Sequence, residues 1–390
     1  MIVHTLPSLL IRGKSLLPVV QGGMGVGISA HSLAGAVAAE GGMGTIASVD
    51  LRRLHQDLME RSQNATRELI EAANLEALDR EIKDALERAK GAGIVAVNVM
   101  RAVSQYADHV TQACKSGAQA IVVGAGLPLD LPDLVQDFKD VALIPILSDA
   151  RGVSLLVKRW MRKNCLPDAI VLEHPGWAGG HLGAPNLSET SNQRFDMETV
   201  LPECHEALEK LGFKRGEIPL IPAGGISSLA RIKELIGLGA AGVQLGTPFA
   251  CTKECDADPE FKRVLAQAKP EDVVEFISAA GLPARAVRTG WLDRYLSRED
   301  KLQKAAECAA QGRTCSQHFD CLLQCGLRDK LAKFGQFCID KQLAAAQLGD
   351  RAQGLFFRGK GLLPFGDEIR PVRELLEVLL TGRVADHAAK

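Results

Sequence analysis

Residues 18–48 read PVVQGGMGVGISAHSLAGAVAAEGGMGTIAS, and the order of apolar, glycine-rich and alanine-rich segments in this stretch sets the fold class. The apolar residues 18–21 predict a buried strand that runs into a glycine-rich turn. Residues 31–40 have helical spacing, and Gly41 and Gly42 end this helix as glycine commonly does. Residues 43–48 predict a second strand. A strand, a helix and a strand in this order indicate an α/β protein with a parallel sheet.

The same rhythm recurs along the next two hundred residues of the chain. Short apolar runs, each followed by a glycine or polar turn and then a helical pattern, predict strands at residues 18–21, 43–48, 94–98, 120–123, 142–147, 169–172, 218–221 and 241–245. Eight β/α units in about 230 residues match the size of a (β/α)8 TIM barrel. An open, doubly wound sheet is the alternative fold.

The rhythm is interrupted once and then stops. Residues 51–90 predict two surface helices within an unusually long connection. After residue 250 the patterns are all helical, at residues 258–268, 271–277, 298–310, 321–331, 336–348 and 371–380. The predicted division is therefore a TIM-barrel domain over residues 1–250 and a helical region over residues 251–390.

Composition excludes several classes of partner. The chain has 46 Lys and Arg against 47 Asp and Glu, with a net charge of −1, so we expect no nucleic-acid partner. No apolar run approaches the roughly 18 residues that a membrane span needs. The N-terminal residues also lack the pattern of a signal peptide. We therefore predict no membrane association and a cytoplasmic location.

Two glycine-rich turns follow the last two predicted strands. Ala223, Gly224 and Gly225 open the helix after the seventh strand, and residues 244–247 end the eighth. Backbone N–H groups in such turns bind phosphate without a cationic side chain. The corresponding loops of TIM barrels are a common phosphate site. The sequence therefore predicts a phosphate-bearing ligand at this edge of the barrel.

A third motif, Trp177-Ala178-Gly179-Gly180-His181-Leu182-Gly183, follows the sixth predicted strand. Glycines let a backbone approach a flat ligand closely, and an imidazole can exchange a proton near neutral pH. A histidine that merely caps a turn is the alternative. If the phosphate belongs to flavin mononucleotide (FMN), the backbone of residues 22–24 and the amide of Asn98 would contact its ring, with His181 near the reactive face.

Taken together, the motifs resemble those of a known family. The matching segments are Gln21-Gly-Gly-Met24, Asn98, Ala178-Gly-Gly-His-Leu-Gly183, Pro222-Ala-Gly-Gly-Ile226, Gly242-Val-Gln-Leu-Gly246 and Thr252-Lys-Glu-Cys-Asp256. They resemble the nitronate monooxygenase, or 2-nitropropane dioxygenase-like, family, to which flavin-dependent enoyl-ACP reductases and an NADH:quinone reductase are similar. The resemblance implies a TIM barrel that binds FMN, a smaller helical part, and His181 as the catalytic base.

The predicted site combines the resemblance with the turns described above. The residues expected to bind FMN are Gly22, Gly23, Met24, Asn98, Ala178, Gly179, Gly180, Ala223, Gly224, Gly225, Gln244, Leu245, Gly246 and Thr247. No metal ligand is assigned among them. Two departures from the family pattern concern the substrate: Pro248 stands where the family often has Arg, and the bulky Trp177 precedes the Gly-Gly-His segment in a longer loop.

These features predict an FMN-dependent oxidoreductase that oxidises a small nitronate or related carbon acid, with His181 as the base and O2 as the electron acceptor. The alternative is an NAD(P)H-dependent flavin reductase that acts on a quinone or an enoyl thioester. A flavin-holding protein without turnover is a third hypothesis. A small-molecule substrate is expected; use of NAD(P)H and assembly into a homodimer stay open.

The tail carries a cluster of cysteines. Cys315, Cys321, Cys325 and Cys338 lie within 24 residues. Four thiols at this density could hold zinc or an iron–sulfur cluster, yet their spacing matches no common metal motif. Free buried thiols are the alternative. Under the helical prediction for residues 321–331, Cys321 and Cys325 would share one helix face.

Overall fold

The computed structural model describes residues 2–309, residue 315 and residues 321–383. Its strands are β1 (Leu9–Ile11), β2 (Lys14–Leu16), β3 (Val19–Gln21), β4 (Met43–Ala47), β5 (Ile94–Met100), β6 (Ala120–Gly124), β7 (Ala142–Leu147), β8 (Ile170–Glu173), β9 (Gly180–His181), β10 (Leu220–Ala223), β11 (Val243–Leu245), β12 (Val273–Ile277) and β13 (Pro283–Val287).

Eight parallel strands close into a barrel in the order β10-β11-β3-β4-β5-β6-β7-β8. Closure comes from the pairing of β11 with β3, in which Leu245 faces Gln21. The predicted TIM barrel is confirmed, and each of its eight strands coincides with a predicted one. The open-sheet alternative is wrong, because the eight strands form a closed ring. Even β3, the first of them in the chain, has a partner on each side, β11 and β4, so no strand is left at an edge.

Small and branched side chains fill the barrel because strands tilt and present alternate residues inward. Val20, Met43, Val122, Val171 and Ile221 are all fully or almost fully buried within one apolar cluster. The antiparallel hairpin β1–β2 adds its own leucines to this cluster. Lys14 Nζ donates to the carbonyls of residues 91 and 93, directly before β5. The hairpin therefore covers the N-terminal end of the barrel.

The helices surround the barrel and continue beyond it. They are α1 (His31–Ala39), α2 (Gln56–Arg61), α3 (Arg67–Ala89), α4 (Tyr106–Lys115), α5 (Leu131–Leu134), α6 (Ala150–Met161), α7 (Met197–Glu209), α8 (Leu229–Gly237), α9 (Thr247–Ala250), α10 (Pro259–Gln267), α11 (Gly290–Leu296), α12 (Glu299–Glu307), α13 (Gly326–Asp329), α14 (Ile339–Gln347) and α15 (Val372–Thr381). The predicted pair of helices in residues 51–90 is confirmed as α2 and α3. No described helix is long and apolar enough to cross a membrane.

The purely helical prediction for residues after 250 is wrong in two places. Residues 271–277, predicted as a helix, contain strand β12, which pairs with β13, and β13 in turn pairs with β9 in the barrel loop. Residues 321–331 are helical only at α13. Leu322 instead forms a β-bridge with Val103, which keeps this stretch extended. Cys321 and Cys325 therefore do not share a helix face.

The segment after the barrel has its own apolar core. Phe276, Leu292, Phe337 and Leu355 belong to a cluster separate from the two barrel clusters. The chain then returns to the barrel, where α15 packs against α1, α8 and α9. The division at residue 250 stays a prediction, and residues 372–381 lie against the barrel helices.

Candidate active site

One cavity of about 270 Å³ opens at the C-terminal ends of the barrel strands. Each of the eight barrel strands contributes its last residues or the turn that follows it. All fifteen residues predicted for the site, His181 and the fourteen expected FMN contacts, line this cavity. The structure therefore brings the predicted set together in one place, while the role of each residue stays a prediction.

The glycine turn after β10 has the conformation that the sequence argument requires. Gly224 and Gly225 have φ values of +101° and +72°, a region that residues with a Cβ rarely adopt. A Cβ on Gly225 would also lie 3.0 Å from Cγ of Trp177. Successive N–H groups in such a turn form an anion-binding concavity. Beside it, Thr247 Oγ1 accepts a hydrogen bond of 3.1 Å from Gly359 N–H.

The first glycine loop lies tightly against the end of β5. A Cβ on Gly23 would stand 2.4 Å from Cβ of Asn98, so only glycine fits at this close approach. Gln21 ties the loop to β4, because its Nε2 donates to the carbonyl of Gly22 and its Oε1 accepts from Thr45 N–H at 2.7 Å. The Oε1 atom of Gln244 is buried without a hydrogen-bond partner among the described residues. A buried acceptor without a donor is costly, and a ligand with an N–H or O–H group would satisfy it.

His181 belongs to β9, in which it pairs with Ala284 of β13. Its ring contacts Phe357 edge to face, with the ring centroids 5.6 Å apart. Its Nε2 atom is buried and has no hydrogen-bond partner among the described residues. Burial lowers the pKa of His181 to about 4. The imidazole is therefore neutral at physiological pH, the state in which it can accept a proton.

The strand that carries His181 is held by a buried arginine. Arg285 is fully buried and donates from one guanidinium nitrogen to the carbonyl of Ala178. Another nitrogen forms an ion pair with Glu275, which Lys360 also approaches, at 2.8 Å. Although burial opposes it, hydrogen bonds from Arg285, Lys360 and Thr190 lower the pKa of Glu275 to about 2. This network fixes the loop between β8 and β9.

Two carboxyl groups in the cavity wall received no role from the sequence. Glu173 ends β8, and burial raises its pKa to about 7 against the pull of Arg285. Its place at a strand end was a usable signal. Asp340 is the second residue of α14 and lines the same cavity. Burial, and after it the charge of Asp50, raises the pKa of Asp340 to about 7, while Arg53 opposes the shift.

His174 and His205 are each held by a hydrogen bond outside the cavity lining. His174 Nδ1 accepts from Gly176 N–H at 3.0 Å, and its Nε2 lies 3.2 Å from Asp196. His174 is therefore a hydrogen-bonded residue of the loop between β8 and β9. His205 Nε2 bonds to the carbonyl of Gly239 in the outer helix layer.

Free thiols are found near β11 at Cys251 and Cys255 and in the tail at Cys321, Cys325 and Cys338. Burial raises the pKa of both Cys251 and Cys255 to about 12, which makes them poor nucleophiles. Cys321 lines the cavity, and burial raises its pKa far above the ordinary range. Within the described ranges, no group of three or more His, Cys, Asp or Glu side chains is placed to hold a metal ion.

Comparisons with known proteins agree with this architecture. FabK from Thermotoga maritima superposes with a TM-score of 0.65 at 21% identity, over 93% of this chain and 91% of that one. A nitroalkane oxidase from Streptomyces ansochromogenes gives a TM-score of 0.61 at 18% identity, over 93% and 94% of the two chains. At these identities both likenesses concern the fold.

The sequence comparisons identify the family. A probable nitronate monooxygenase from Bacillus subtilis (strain 168) is 28% identical over 290 residues, which are 71% of this chain and 78% of that protein. The family model described as nitronate monooxygenase matches residues 11–382. The predicted resemblance and the prediction of an oxidoreductase are both confirmed. The chain belongs to the nitronate monooxygenase family.

Proposed function

We propose that the protein is an FMN-dependent oxidoreductase that oxidises a carbon acid of the nitroalkane and nitronate type, with His181 as the base and dioxygen as the electron acceptor. The observation that carries this proposal is the neutral imidazole of His181, which lines a cavity between glycine-rich turns and whose buried Nε2 has no hydrogen-bond partner in the part of the chain that the structure describes. Family membership supports the reaction class.

The residues present fit FMN. The positive φ values of Gly224 and Gly225 expose backbone N–H groups where a phosphate would bind. Because Gly23 has no side chain, its backbone packs directly against Asn98, with which a Cβ would collide, and both residues line the cavity in which a flat ring would lie. Gln244 offers a buried Oε1 to which no described residue donates. Ala178, Gly179 and Gly180 would border the same ring below His181, and Leu245, Gly246 and Thr247 would complete the phosphate end.

The chain contributes the proton chemistry and the orientation of the substrate. His181 Nε2 accepts the proton of a neutral carbon acid, and the edge of Phe357 holds the imidazole in place. FMN bound in this cavity would supply an acceptor for the electrons of the resulting carbanion and a route from there to dioxygen. Arg285 acts at one remove, because it orders the loop that carries His181.

A nitronate is already deprotonated, so it bypasses the proton transfer assigned to His181. We therefore expect anaerobic nitroethane and ethyl nitronate both to bleach the flavin absorbance of the wild type. In His181→Asn, bleaching by nitroethane should slow by about 10²–10⁴-fold, whereas bleaching by the nitronate should be affected much less. His205→Gln is the matched control, because its amide can retain the bond to Gly239.

The same experiment tests the alternatives. Fast bleaching by NADH or NADPH, with none by either nitro compound, would replace the proposal with the flavin reductase. Equal rates in His181→Asn and the wild type with nitroethane would remove His181 as the base. A protein that binds FMN but is bleached by no reductant would support the hypothesis of a flavin-holding protein.

A further inference from the structure

Asp340 brings a carboxyl group to the cavity from the side of the barrel opposite the loop that carries His181. It forms an ion pair of 2.6 Å with Arg53, and Arg53 follows strand β4 in the chain. In the ring of eight strands, β4 stands directly across from β8, and the loop with His181 begins where β8 ends. Asp340 and this loop therefore approach the cavity from opposite sides.

The carboxyl of Asp340 is only half satisfied by the described residues. Its Oδ2 accepts a hydrogen bond from Arg53, whereas its Oδ1 is buried and has no hydrogen-bond partner in the described part of the chain. Asp340 as a whole is 3% exposed, and the neighbouring lining residues Leu322, Ile339 and Leu343 are apolar. A buried polar atom without a partner is unfavourable. A ligand in the cavity can supply the partner that Oδ1 lacks.

The ion pairs behind Asp340 favour its protonated form. Asp50 contacts two arginines, Arg52 at 2.8 Å and Arg53. Although burial opposes it, the charges of Arg53 and Arg52 lower the pKa of Asp50, so Asp50 is a carboxylate. Asp340 shares Arg53 with this carboxylate, and burial, followed by the charge of Asp50, raises the pKa of Asp340 to about 7. Because Oδ2 accepts from Arg53, the proton belongs on Oδ1.

The other titratable groups that face Asp340 are uncharged thiols. Burial raises the pKa of Cys338 to about 11 and that of Cys321 beyond the ordinary range. Among the described residues, the charged groups next to Asp340 are therefore Asp50 and Arg53, which already contact each other. None of the described residues that line the cavity is Lys or Arg. An anionic group of a ligand would thus meet Asp50 without a free cation, whereas a neutral acceptor would meet a donor.

We infer that Asp340 donates a hydrogen bond from Oδ1 to an uncharged acceptor oxygen of the substrate, such as a carbonyl, at a point remote from the carbon that reacts at His181. This inference rests on the proposed function for the reaction at His181. It gives the substrate a polar anchor on the β4 side of the cavity, and it assigns Asp340 of α14 a part in substrate selection.

Nitronates with and without a remote carbonyl test the inference in turnover. The compounds are the nitronates of 4-nitrobutan-2-one, 5-nitropentan-2-one and 6-nitrohexan-2-one, each paired with that of the unbranched nitroalkane of equal chain length. In at least one pair, Asp340→Leu should lower kcat/KM for the ketone relative to the alkane by about twofold to tenfold, the effect of one hydrogen bond. Asp340→Asn should keep the wild-type ratio, because its amide can donate in place of Oδ1. A ratio that Asp340→Leu changes in no pair would overturn the inference.

Unreactive probes test the same contact without turnover. Binding of cyclopentanone to the holoenzyme, followed by ligand-observed NMR, should weaken by about twofold to tenfold as Asp340 loses its proton between about pH 6 and about pH 8.5. Cyclopentane, which has no acceptor, should show no such change. In Asp340→Asn, cyclopentanone should bind equally at both pH values, and in Asp340→Leu weakly at both. Asp300→Asn is the matched control, because Asp300 is exposed on α12 and does not line the cavity.

Three results of the binding experiment would overturn the inference. The first is cyclopentanone affinity that does not change with pH in the wild type. The second is a change that persists in Asp340→Asn, which would assign it to another group such as Glu173. The third is cyclopentylammonium that binds more tightly than cyclopentanone as pH rises, which would make Asp340 an acceptor. If Asp340→Leu does not fold, the pH profile of Asp340→Asn still decides.

The two experiments also separate this inference from the proposed function. If cyclopentanone binds with the expected pH dependence but no nitro compound is oxidised, the contact at Asp340 holds and only the proposed function fails. If the nitro compounds are oxidised but neither the ketone ratio nor cyclopentanone binding responds to Asp340→Asn and Asp340→Leu as expected, only the inference fails.

Discussion

The backbone of Gly179, two residues before His181, lies very close to the backbone of residues 358–359. A substitution at Gly179 tests whether these two segments are in contact. A Cβ on Gly179 would lie 2.7 Å from the carbonyl carbon of Arg358 and 2.7 Å from the nitrogen of Gly359. Ordinary contacts of a Cβ begin at 3.4 Å, so in Gly179→Ala the two chain segments must separate by about 0.7 Å. The obstacle is backbone, which cannot rotate away as a flexible side chain does.

We expect two consequences of Gly179→Ala. Overpacking of this kind costs about 1–3 kcal/mol of unfolding free energy, so the melting temperature should fall by several degrees. Separation of the segments also stretches the 3.1 Å hydrogen bond from Gly359 N–H to Thr247. A hydrogen bond contributes about 0.5–1.5 kcal/mol, so FMN affinity should fall by roughly twofold to tenfold.

Thermal melting and FMN titration of the refolded apoprotein measure both effects. The control is Gly237→Ala at the end of α8, where a Cβ would meet no atom within 4 Å. Because alanine restricts the unfolded chain more than glycine does, this control should be neutral or stabilised by up to about 1 kcal/mol. If Gly179→Ala melts and binds FMN like this control, the close passage between the loop and residues 358–359 is not part of the structure.

Two further predictions concern the loop that carries His181. The pKa of Glu173 is raised to about 7, so between its ordinary pKa and pH 7 the folded state holds a proton that the unfolded state lacks. Stability therefore falls as pH rises through this window. Glu173→Gln should remove this part of the slope of melting temperature against pH, and an unchanged slope would show that Glu173 is not buried as described. Arg285→Met removes the fully buried partner of the partly exposed Glu275. It should cost up to about 3–5 kcal/mol and slow turnover, with FMN still bound. Arg351→Met, in an exposed pair with Glu260, should cost at most about 1 kcal/mol, and equal losses in the two variants would contradict the assigned role of Arg285.

The barrel and its glycine-rich turns could be predicted from the sequence, because both depend on local patterns. Each buried strand is a short apolar run, and in a TIM barrel the residues that follow the strands meet at one face. This rule alone placed Gly22, Asn98, Gly224 and Gly246 in one cavity, where the structure has them.

The segments after the barrel that line the cavity could not be predicted in this way, because their contacts join distant parts of the chain. Pairing of β9 with β13 links His181 to Ala284, and no local signal announces it. Asp340 meets Arg53 across almost three hundred residues. The sequence of strand β12, whose burial is mixed, predicts a helix, because short apolar and charged runs do not distinguish the two elements.

The path of the chain between α9 and α15 also determines how the protein can be re-engineered. The chain leaves the barrel after α9 and returns to it at α15, which packs against α1, α8 and α9. Truncating the chain from its C-terminus would therefore first remove helix α15, which packs on the barrel. To change substrate specificity, it is better to replace the internal segment between α10 and α14 with that of another protein, provided that the new segment contains a strand able to replace β13 beside His181.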